Sequence, residues 1–83
     1  MRITIKLFAM LSGYLPDGAR GQEVDIEVAD DATPGGVIDH LRVPRASCHL
    51  VLINGFYTQP SQIDSVRLRD GDALAIWPPI AGG

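Results

Sequence analysis

The sequence predicts an α+β domain in which a mixed sheet of four to five strands carries one main helix on one face. Two early segments, 2–8 and 22–28, alternate polar and apolar residues with the period of a half-buried strand. A helix signal follows at Thr33-Pro34. Two later apolar runs, 50–53 and 73–77, have the length of buried strands.

Composition places the chain among small globular domains. Of its 83 residues, 46% are hydrophobic and 20% are charged, which is enough apolar character for a core. The net charge of −3 and the lack of a Lys/Arg cluster argue against nucleic-acid binding. The single cysteine, Cys48, excludes an internal disulfide and fits a reducing cytoplasm. The first residues alternate polar and apolar, so we expect neither a signal peptide nor a membrane span.

The first two strands are predicted to form an antiparallel pair with one solvated face. The inward residues of the first strand are Ile3, Ile5 and Leu7, and those of the second are Val24, Ile26 and Val28. Phe8 falls on the opposite, polar face of the first strand. Residues 9–19 carry Gly and Pro turn signals and read as a loop with at most one helical turn. We interpret the outward carboxylates of the second strand as an acidic stripe that protects an edge strand from aggregation; these are Glu23, Asp25 and Glu27.

The helix is predicted to be short and to be held mainly by packing. Thr33 suits the N-cap and Pro34 the first helical position. Val37, Ile38 and Leu41 then share one face. Gly35-Gly36 weakens the segment, because each glycine costs up to about 1 kcal/mol relative to alanine inside a helix. The helix should end by residue 43, since Pro44 disfavours helical geometry before it.

Few side chains suggest catalysis. We place His40 on the outer surface of the helix, without a ligand or catalytic role. Cys48 and His49 invite a nucleophile-and-base interpretation, but neighbours in a strand point to opposite faces. We therefore treat Cys48 as incidental. Metal-ligand spacing is absent from the sequence, so no metal site is expected.

The second half of the chain is predicted to complete the sheet. Asn54-Gly55 closes the first apolar run as a hairpin, and residues 56–58 begin the return strand. A polar connection, 61–69, and a tight turn, 70–72, lead into the last strand. The anchors of the connection are Ile63, Val66 and Leu68, and the inward residues of the last strand are Leu74 and Ile76.

Three aromatic residues are predicted to project from the side of the sheet opposite the helix. They are Phe8, Tyr57 and Trp77. Phe8 and Trp77 should lie on adjacent strands if the first and last strands pair. Exposed aromatics that cluster in this way are typical of a docking patch, so we expect these residues to bind partner proteins.

The sequence after Trp77 divides a domain, 1–77, from a flexible tail, 78–83. The tail consists of Pro78, Pro79, Ile80, Ala81, Gly82 and Gly83. Two prolines cannot donate ladder hydrogen bonds, so the sheet should end at Trp77. Fully extended, the tail reaches at most about 20 Å, and its glycines suit a channel too narrow for a Cβ. A frayed terminus is the alternative. We favour a presented arm because the diglycine follows directly on strand and prolines.

Several motifs, spread over nearly the whole chain, resemble those of one family. They are Lys6–Ala9, Asp31–Thr33, Ile53–Gly55, Leu68–Asp72 and Ile76–Gly83. With the order of the elements, they resemble the ubiquitin-like β-grasp sulfur carriers of bacteria. The small subunit of molybdopterin synthase is the most similar member, and the thiamine-biosynthesis carrier is related. Gly35-Gly36 and Trp77 depart from the usual pattern of the family.

The resemblance implies that Gly83 carries the chemistry. A ubiquitin-E1-like enzyme would use ATP to adenylate the terminal carboxylate, and persulfide sulfur would displace AMP to leave a thiocarboxylate. The tail would then enter the large subunit of molybdopterin synthase, in a heterotetramer, and deliver sulfur to a pterin precursor. The chain would be non-catalytic by itself and would bind no cofactor.

Three other functions stay open at this point. The sulfur could serve thiamine, a tungsten cofactor or another transfer. The chain could be a β-grasp binding module whose tail is never activated. It could also be a protein modifier that forms isopeptide bonds.

Overall fold

The computed structural model describes residues 1–79. Within them the chain forms five strands and one α-helix, and short 3₁₀ segments occupy Ala9–Tyr14, Arg45–Ser47 and Pro60–Gln62. In chain order the elements are β1 (Arg2–Leu7), β2 (Glu23–Glu27), α1 (Pro34–His40), β3 (Leu50–Ile53), β4 (Phe56–Tyr57) and β5 (Ala73–Trp77). The predicted fold class is confirmed, with all five strands in one sheet.

The strand order of the sheet is β2-β1-β5-β3-β4. The central strand, β5, is parallel to its neighbour β1, and every other neighbouring pair is antiparallel. The parallel register pairs Leu7 with Ile76. Because the carboxyl ends of parallel strands meet at one edge, Phe8 comes to lie beside Trp77. The first and last strands therefore pair as predicted.

The core lies between the sheet and α1. Its buried apolar residues are Ile3, Ile5, Leu7, Leu11, Val37, Ile38, Val43, Val51, Ile63, Leu68, Leu74 and Ile76. The inward residues predicted for β1 and β5 are thus confirmed. Those predicted for β2 are only partly buried, because β2 is an edge strand of the described sheet. Leu11 and Val43 also belong to the core, although the apolar residues of their segments repeat with neither the period of a strand nor that of a helix.

The end of β1 differs slightly from the predicted boundary, whereas both ends of α1 agree with the prediction. β1 ends at Leu7, because Phe8 leaves the ladder to precede a 3₁₀ segment and its carbonyl accepts from the N–H of Leu11 (3.1 Å). The start of α1 is as predicted: Thr33 Oγ1 accepts from the N–H of Gly36 at 3.1 Å, and Pro34 opens the helix. The helix ends at His40, within the predicted limit.

An ion-pair cluster over the start of α1 explains one of its glycines. Arg45 donates two hydrogen bonds to Asp39 (2.9 and 2.9 Å) and two to Asp64 (3.1 and 2.8 Å). Gly35 lies against this cluster, and its N–H donates to the carbonyl of Ile63 at 2.9 Å. A Cβ on Gly35 would collide with Asp64 Oδ1 and lie 2.8 Å from Arg45 Nη2. Arg45 and Asp64 can approach this closely because residue 35 has no side chain. Their ion pair therefore offsets the free-energy cost of a glycine in the helix.

We expect the two glycines of α1 to respond differently to alanine. A Cβ on Gly36 would meet only Thr33 Oγ1, at 3.4 Å, so Gly36→Ala should stabilise the fold by up to about 1 kcal/mol. Gly35→Ala should displace Asp64 and be less stable than Gly36→Ala by about 1–2 kcal/mol. Urea unfolding of both variants measures the difference. Equal midpoints would show that the cluster does not restrict Gly35.

The Arg45 cluster should also make stability depend on pH. Hydrogen bonds from Arg45 hold the pKa values of Asp39 and Asp64 below the usual 3.8. A carboxyl with a depressed pKa in the folded state contributes stability above its unfolded pKa and loses it as the pH falls through the folded value. We expect Arg45→Met to be less stable than the wild type at neutral pH, and the gap to shrink below pH 3.8. Urea unfolding across this range checks it, and a gap independent of pH would contradict it.

Candidate functional site

The face of the sheet opposite α1 is divided into a charged half and an apolar half. Cross-strand partners share a face, so the row Lys6, Ala75, Leu52 and Tyr57 lies on this side. The charged half belongs to β2 and β1, and the apolar half to β5, β3 and β4. Tyr57 therefore shares this face with β5, as the alternation predicted.

The apolar half is centred on a pair of stacked rings. The rings of Phe8 and Trp77 are parallel within 4°, with 3.8 Å between their centroids. Trp77 remains 41% exposed, so a partner can still cover one side of the pair. Leu50 pairs with Trp77 across the sheet and extends the surface. We name this surface the docking face; it consists of Phe8, Leu50, Leu52, Tyr57, Ala75 and Trp77.

Sequence reasoning did not identify two members of the docking face, Leu50 and Leu52. Both are partly buried and lie on the same side as Trp77 and Ala75. The signal was present in the sequence, because β3 has apolar residues at every position while a strand with one solvated face alternates. An uninterrupted apolar strand indicates that both faces are covered or that one of them awaits a partner.

The acidic stripe occupies the charged half of the same face. Its register places Glu23 opposite Lys6, Asp25 opposite Thr4 and Glu27 opposite Arg2. Thr4 Oγ1 donates to Asp25 at 2.7 Å, and Arg2 Nε donates to Glu27 at 3.2 Å. The stripe is exposed and lies on an edge strand of the described sheet, as predicted.

Backbone hydrogen bonds hold the end of β5, from which the tail begins, on both of its sides. The N–H of His49 donates to the carbonyl of Trp77 (2.9 Å), and the N–H of Phe8 donates to the carbonyl of Ile76 (3.2 Å). Pro78 is buried and Pro79 is exposed. The other predicted tail residues, Ile80, Ala81, Gly82 and Gly83, lie outside the described residues, so their roles stay predictions.

The structure gives no nucleophilic character to Cys48. The thiol is partly buried, and burial raises its pKa, which disfavours the reactive thiolate. His40 is exposed at the end of α1, as predicted, and His49 is also exposed. Residues 1–79 contain no group of three or more potential metal ligands and no helix long and apolar enough to span a membrane.

This sheet order, with one helix across one face, defines the ubiquitin-like β-grasp class, and known structures confirm it. Over the full length of both chains, the protein superimposes on SAMP1 from Haloferax volcanii with a TM-score of 0.69 and 27% identity. Coverage is equally complete for the thiamine biosynthesis protein ThiS from Geobacter metallireducens (TM-score 0.67, 20% identity). It is also complete for a chain in the complex of subunits 1 and 2 of molybdopterin-converting factor from Helicobacter pylori (TM-score 0.62, 18% identity). The last two, at these identities, show the fold alone.

The chain belongs to the Mut7-C ubiquitin family, whose model matches residues 1–81. The similarity to ubiquitin-like sulfur carriers inferred from the sequence motifs is thereby confirmed at the level of family and fold. None of the curated proteins compared with the chain matches it.

Proposed function

We propose that the protein is a sulfur carrier whose C-terminal Gly83 is adenylated and then converted to a thiocarboxylate. The observation that carries this proposal is the position of the docking face. Its stacked pair, Phe8 and Trp77, lies where β5 runs into Pro78. An enzyme bound to that pair would receive the tail residues directly, because the tail follows Trp77 in the chain and Trp77 belongs to the docking face.

The chemistry explains why the carrier itself needs no acid, base or metal. A carboxylate is a poor electrophile until it attacks the α-phosphorus of ATP, releases pyrophosphate and becomes an acyl adenylate. A persulfide sulfur then attacks the acyl carbon and AMP leaves. A thiol reduces the resulting acyl disulfide and frees the thiocarboxylate, a soft sulfur nucleophile. The activating enzyme supplies these groups and uses ATP, while the carrier supplies a docking face and a tail and binds no cofactor.

Intact-mass measurement tests the carrier function. The protein is incubated with an E1-like activating enzyme, ATP and a sulfur donor, and a matched reaction omits ATP. We expect the mass to rise by the difference between sulfur and oxygen only when ATP is present. A mass that stays unchanged with an enzyme shown to bind the protein would refute the proposal.

We further propose molybdopterin synthesis as the destination of the sulfur. The support is the run Ile76–Gly83, in which Pro78-Pro79 resembles the small subunit of molybdopterin synthase more than the thiamine carrier. The expected complex is a heterotetramer of two carriers on a dimer of large subunits, with each tail inserted.

Conversion of the pterin precursor tests this destination separately. Thiocarboxylated protein is mixed with a large subunit and precursor, and the dithiolene product is measured. If no complex and no product form while sulfur still reaches another acceptor, such as the thiamine or tungsten-cofactor pathway, the destination is wrong and the carrier function stands.

A protein modifier is the second candidate function. It is favoured by the 27% identity with SAMP1 over the full length of both chains, since a further structure of that protein is described as small archaeal modifier protein 1. In this case the activated Gly83 would form an amide bond with a lysine of another protein. Mass spectrometry of proteins captured with an antibody against the chain distinguishes the two, because only a modifier leaves its own C-terminal peptide joined to a lysine. Trypsin cuts after Arg69, so the remnant expected on the lysine is Asp70–Gly83.

A further inference from the structure

A second exposed surface lies at the β4 edge of the sheet and shares only Tyr57 with the docking face. Its centre is Phe56, whose side chain is 78% exposed, more than any other large apolar side chain of the described chain. Phe56 pairs with Ile53, which pairs with the buried Leu74. Because cross-strand partners share a face, Phe56 projects on the helix side of the sheet. Binding of a partner at the docking face therefore does not explain why Phe56 is exposed.

A groove of about 480 Å³ lies beside Phe56. Its apolar wall includes Ile53 and Val66, both partly buried, and its rim carries Arg67 and Arg69, both exposed. Neither arginine forms an ion pair with any of residues 1–79. We name this surface the Phe56 groove; it consists of Ile53, Phe56, Val66, Arg67 and Arg69.

The Phe56 groove also contains an acid, Asp72, whose carboxylate is already engaged. Asp72 Oδ1 accepts from Asn54 Nδ2 (2.8 Å) and Oδ2 accepts from the N–H of Arg69 (2.7 Å). Asn54 Oδ1 in turn accepts from the N–H of Ala73 (2.9 Å). These bonds tie the β3–β4 turn to the turn before β5. They hold Phe56 and Arg69 on either side of the groove.

The edge of β4 beside the groove offers backbone hydrogen bonds. The N–H of Thr58 donates to the carbonyl of Val51 (2.9 Å), so Thr58 and Phe56 are the residues that bond to β3. By the antiparallel alternation, the N–H and C=O of Tyr57 point away from β3. Within residues 1–79, no strand pairs with this edge. An extended peptide can add a strand to such an edge.

We propose that the Phe56 groove binds an acidic, extended segment of a partner protein. The segment pairs with the backbone of Tyr57, places an aliphatic side chain between Phe56 and Val66, and sets carboxylates on Arg67 and Arg69. Charge complementarity favours an acidic occupant, because the whole chain has a net charge of −3 while Arg67 and Arg69 outweigh the one carboxylate of the groove, Asp72. Two arginines neutralise too few phosphates for a nucleic-acid site.

The Phe56 groove and the docking face lie on opposite sides of the sheet. A partner in the groove can therefore hold the protein while an enzyme occupies the docking face and tail. The inference does not depend on the sulfur chemistry of Gly83, so the carrier function and the groove can fail separately.

The probe is a peptide with Asp, Leu and Asp at every second position and threonine between them, so that the carboxylates and the aliphatic side chain share one face of the extended strand. It is titrated into ¹⁵N-labelled full-length protein. A Lys-for-Asp version of the peptide is the charge control. We expect the backbone amides of Tyr57, Arg67 and Arg69 to shift with the acidic peptide, while that of Lys6 stays in place. Equal binding of both peptides, or shifts centred on the docking face, would overturn the proposal.

Matched variants assign the binding to the groove. The double substitution Arg67→Glu/Arg69→Glu should weaken acidic-peptide binding by at least about tenfold, and Phe56→Ser by about fivefold. Arg20→Glu makes the same kind of charge change near the β2 edge and should alter binding by less than about twofold. Thermal unfolding confirms that each variant is folded. Undiminished binding in the folded double variant would overturn the proposal.

A second copy of the chain is the competing occupant, because the acidic stripe lies on the opposite edge of the sheet. Sedimentation velocity over a range of concentrations tests it with the same variants. Self-association that the double variant abolishes, without binding of the acidic peptide, would replace the partner segment by a second copy and overturn the proposal.

Discussion

Removal of Gly83 is expected to abolish sulfur loading and to leave the fold unchanged. The shortened chain still ends in a glycine carboxylate, but that carboxylate is withdrawn by about 3.5 Å along the tail. Misplacement of a reacting group by 1 Å already costs about 100-fold in rate, so the adenylating enzyme should no longer reach it. Intact mass after incubation with enzyme, ATP and sulfur donor measures the loss.

Two controls separate chemistry from binding in this experiment. The shortened chain keeps the whole docking face and the whole core, which lie within residues 1–79, so its melting temperature and its affinity for the enzyme should match the wild type. A C-terminal tag on Gly83 blocks the carboxylate without shortening the tail and should also abolish loading. Thiocarboxylation of either altered chain would show that Gly83 is not the reacting residue.

The sheet could be predicted wherever a strand has one buried and one solvated face. In β1 and β5 the alternation placed Ile5 and Leu74 in the core and Trp77 outside. Alternation carries no information on strand order or direction. The pairing of β1 with β5 was therefore expected only from the resemblance to the β-grasp fold, and its parallel direction comes from the structure. Leu11 was missed because a 3₁₀ segment has too few residues to show a period.

Close approaches in space explain the residues whose roles the sequence did not reveal. From the sequence, Gly35 is only a residue that weakens the helix, and the structure adds that a side chain there would displace the Arg45–Asp64 pair. From the sequence, Phe56 was predicted only as the first residue of the return strand. Its exposure depends on the lack of a further strand beyond β4 in the described sheet, which is a property of topology and not of local sequence.

The docking face shows how far the candidate site could be predicted. Alternation placed Phe8 and Trp77 on this face of the sheet, which the structure confirms, and the structure adds that their rings stack at 3.8 Å. Their binding of partners stays a prediction. In the proposed docking, a pair that is already stacked would lose little side-chain entropy when a partner covers it. The role proposed for Gly83 rests on the resemblance of the sequence motifs, since the described residues end at Pro79.

Trp77→Glu is expected to weaken binding of the activating enzyme by about 2 kcal/mol or more, which is about 30-fold. A tryptophan at the centre of an apolar face is the type of residue that dominates such interfaces. Glutamate would place a charge against Leu50 and the enzyme surface without a partner. Isothermal titration calorimetry with the wild type and the variant measures the change. Gln59→Glu adds the same carboxylate outside the docking face and should bind normally.

The fold should survive the Trp77 substitution. Trp77 is 41% exposed, and the variant loses the stacking on Phe8, which is worth about 0.5–1.5 kcal/mol. Its buried neighbours along the chain, Ile76 and Pro78, are unchanged. A cooperative thermal transition at a modestly lower temperature is therefore expected. If the variant unfolds instead, Trp77 acts as part of the core, and the docking face cannot be the surface that receives the enzyme. If it folds and still binds with wild-type affinity, the enzyme recognises the tail alone, and the stacked pair serves only to hold the end of β5 in place.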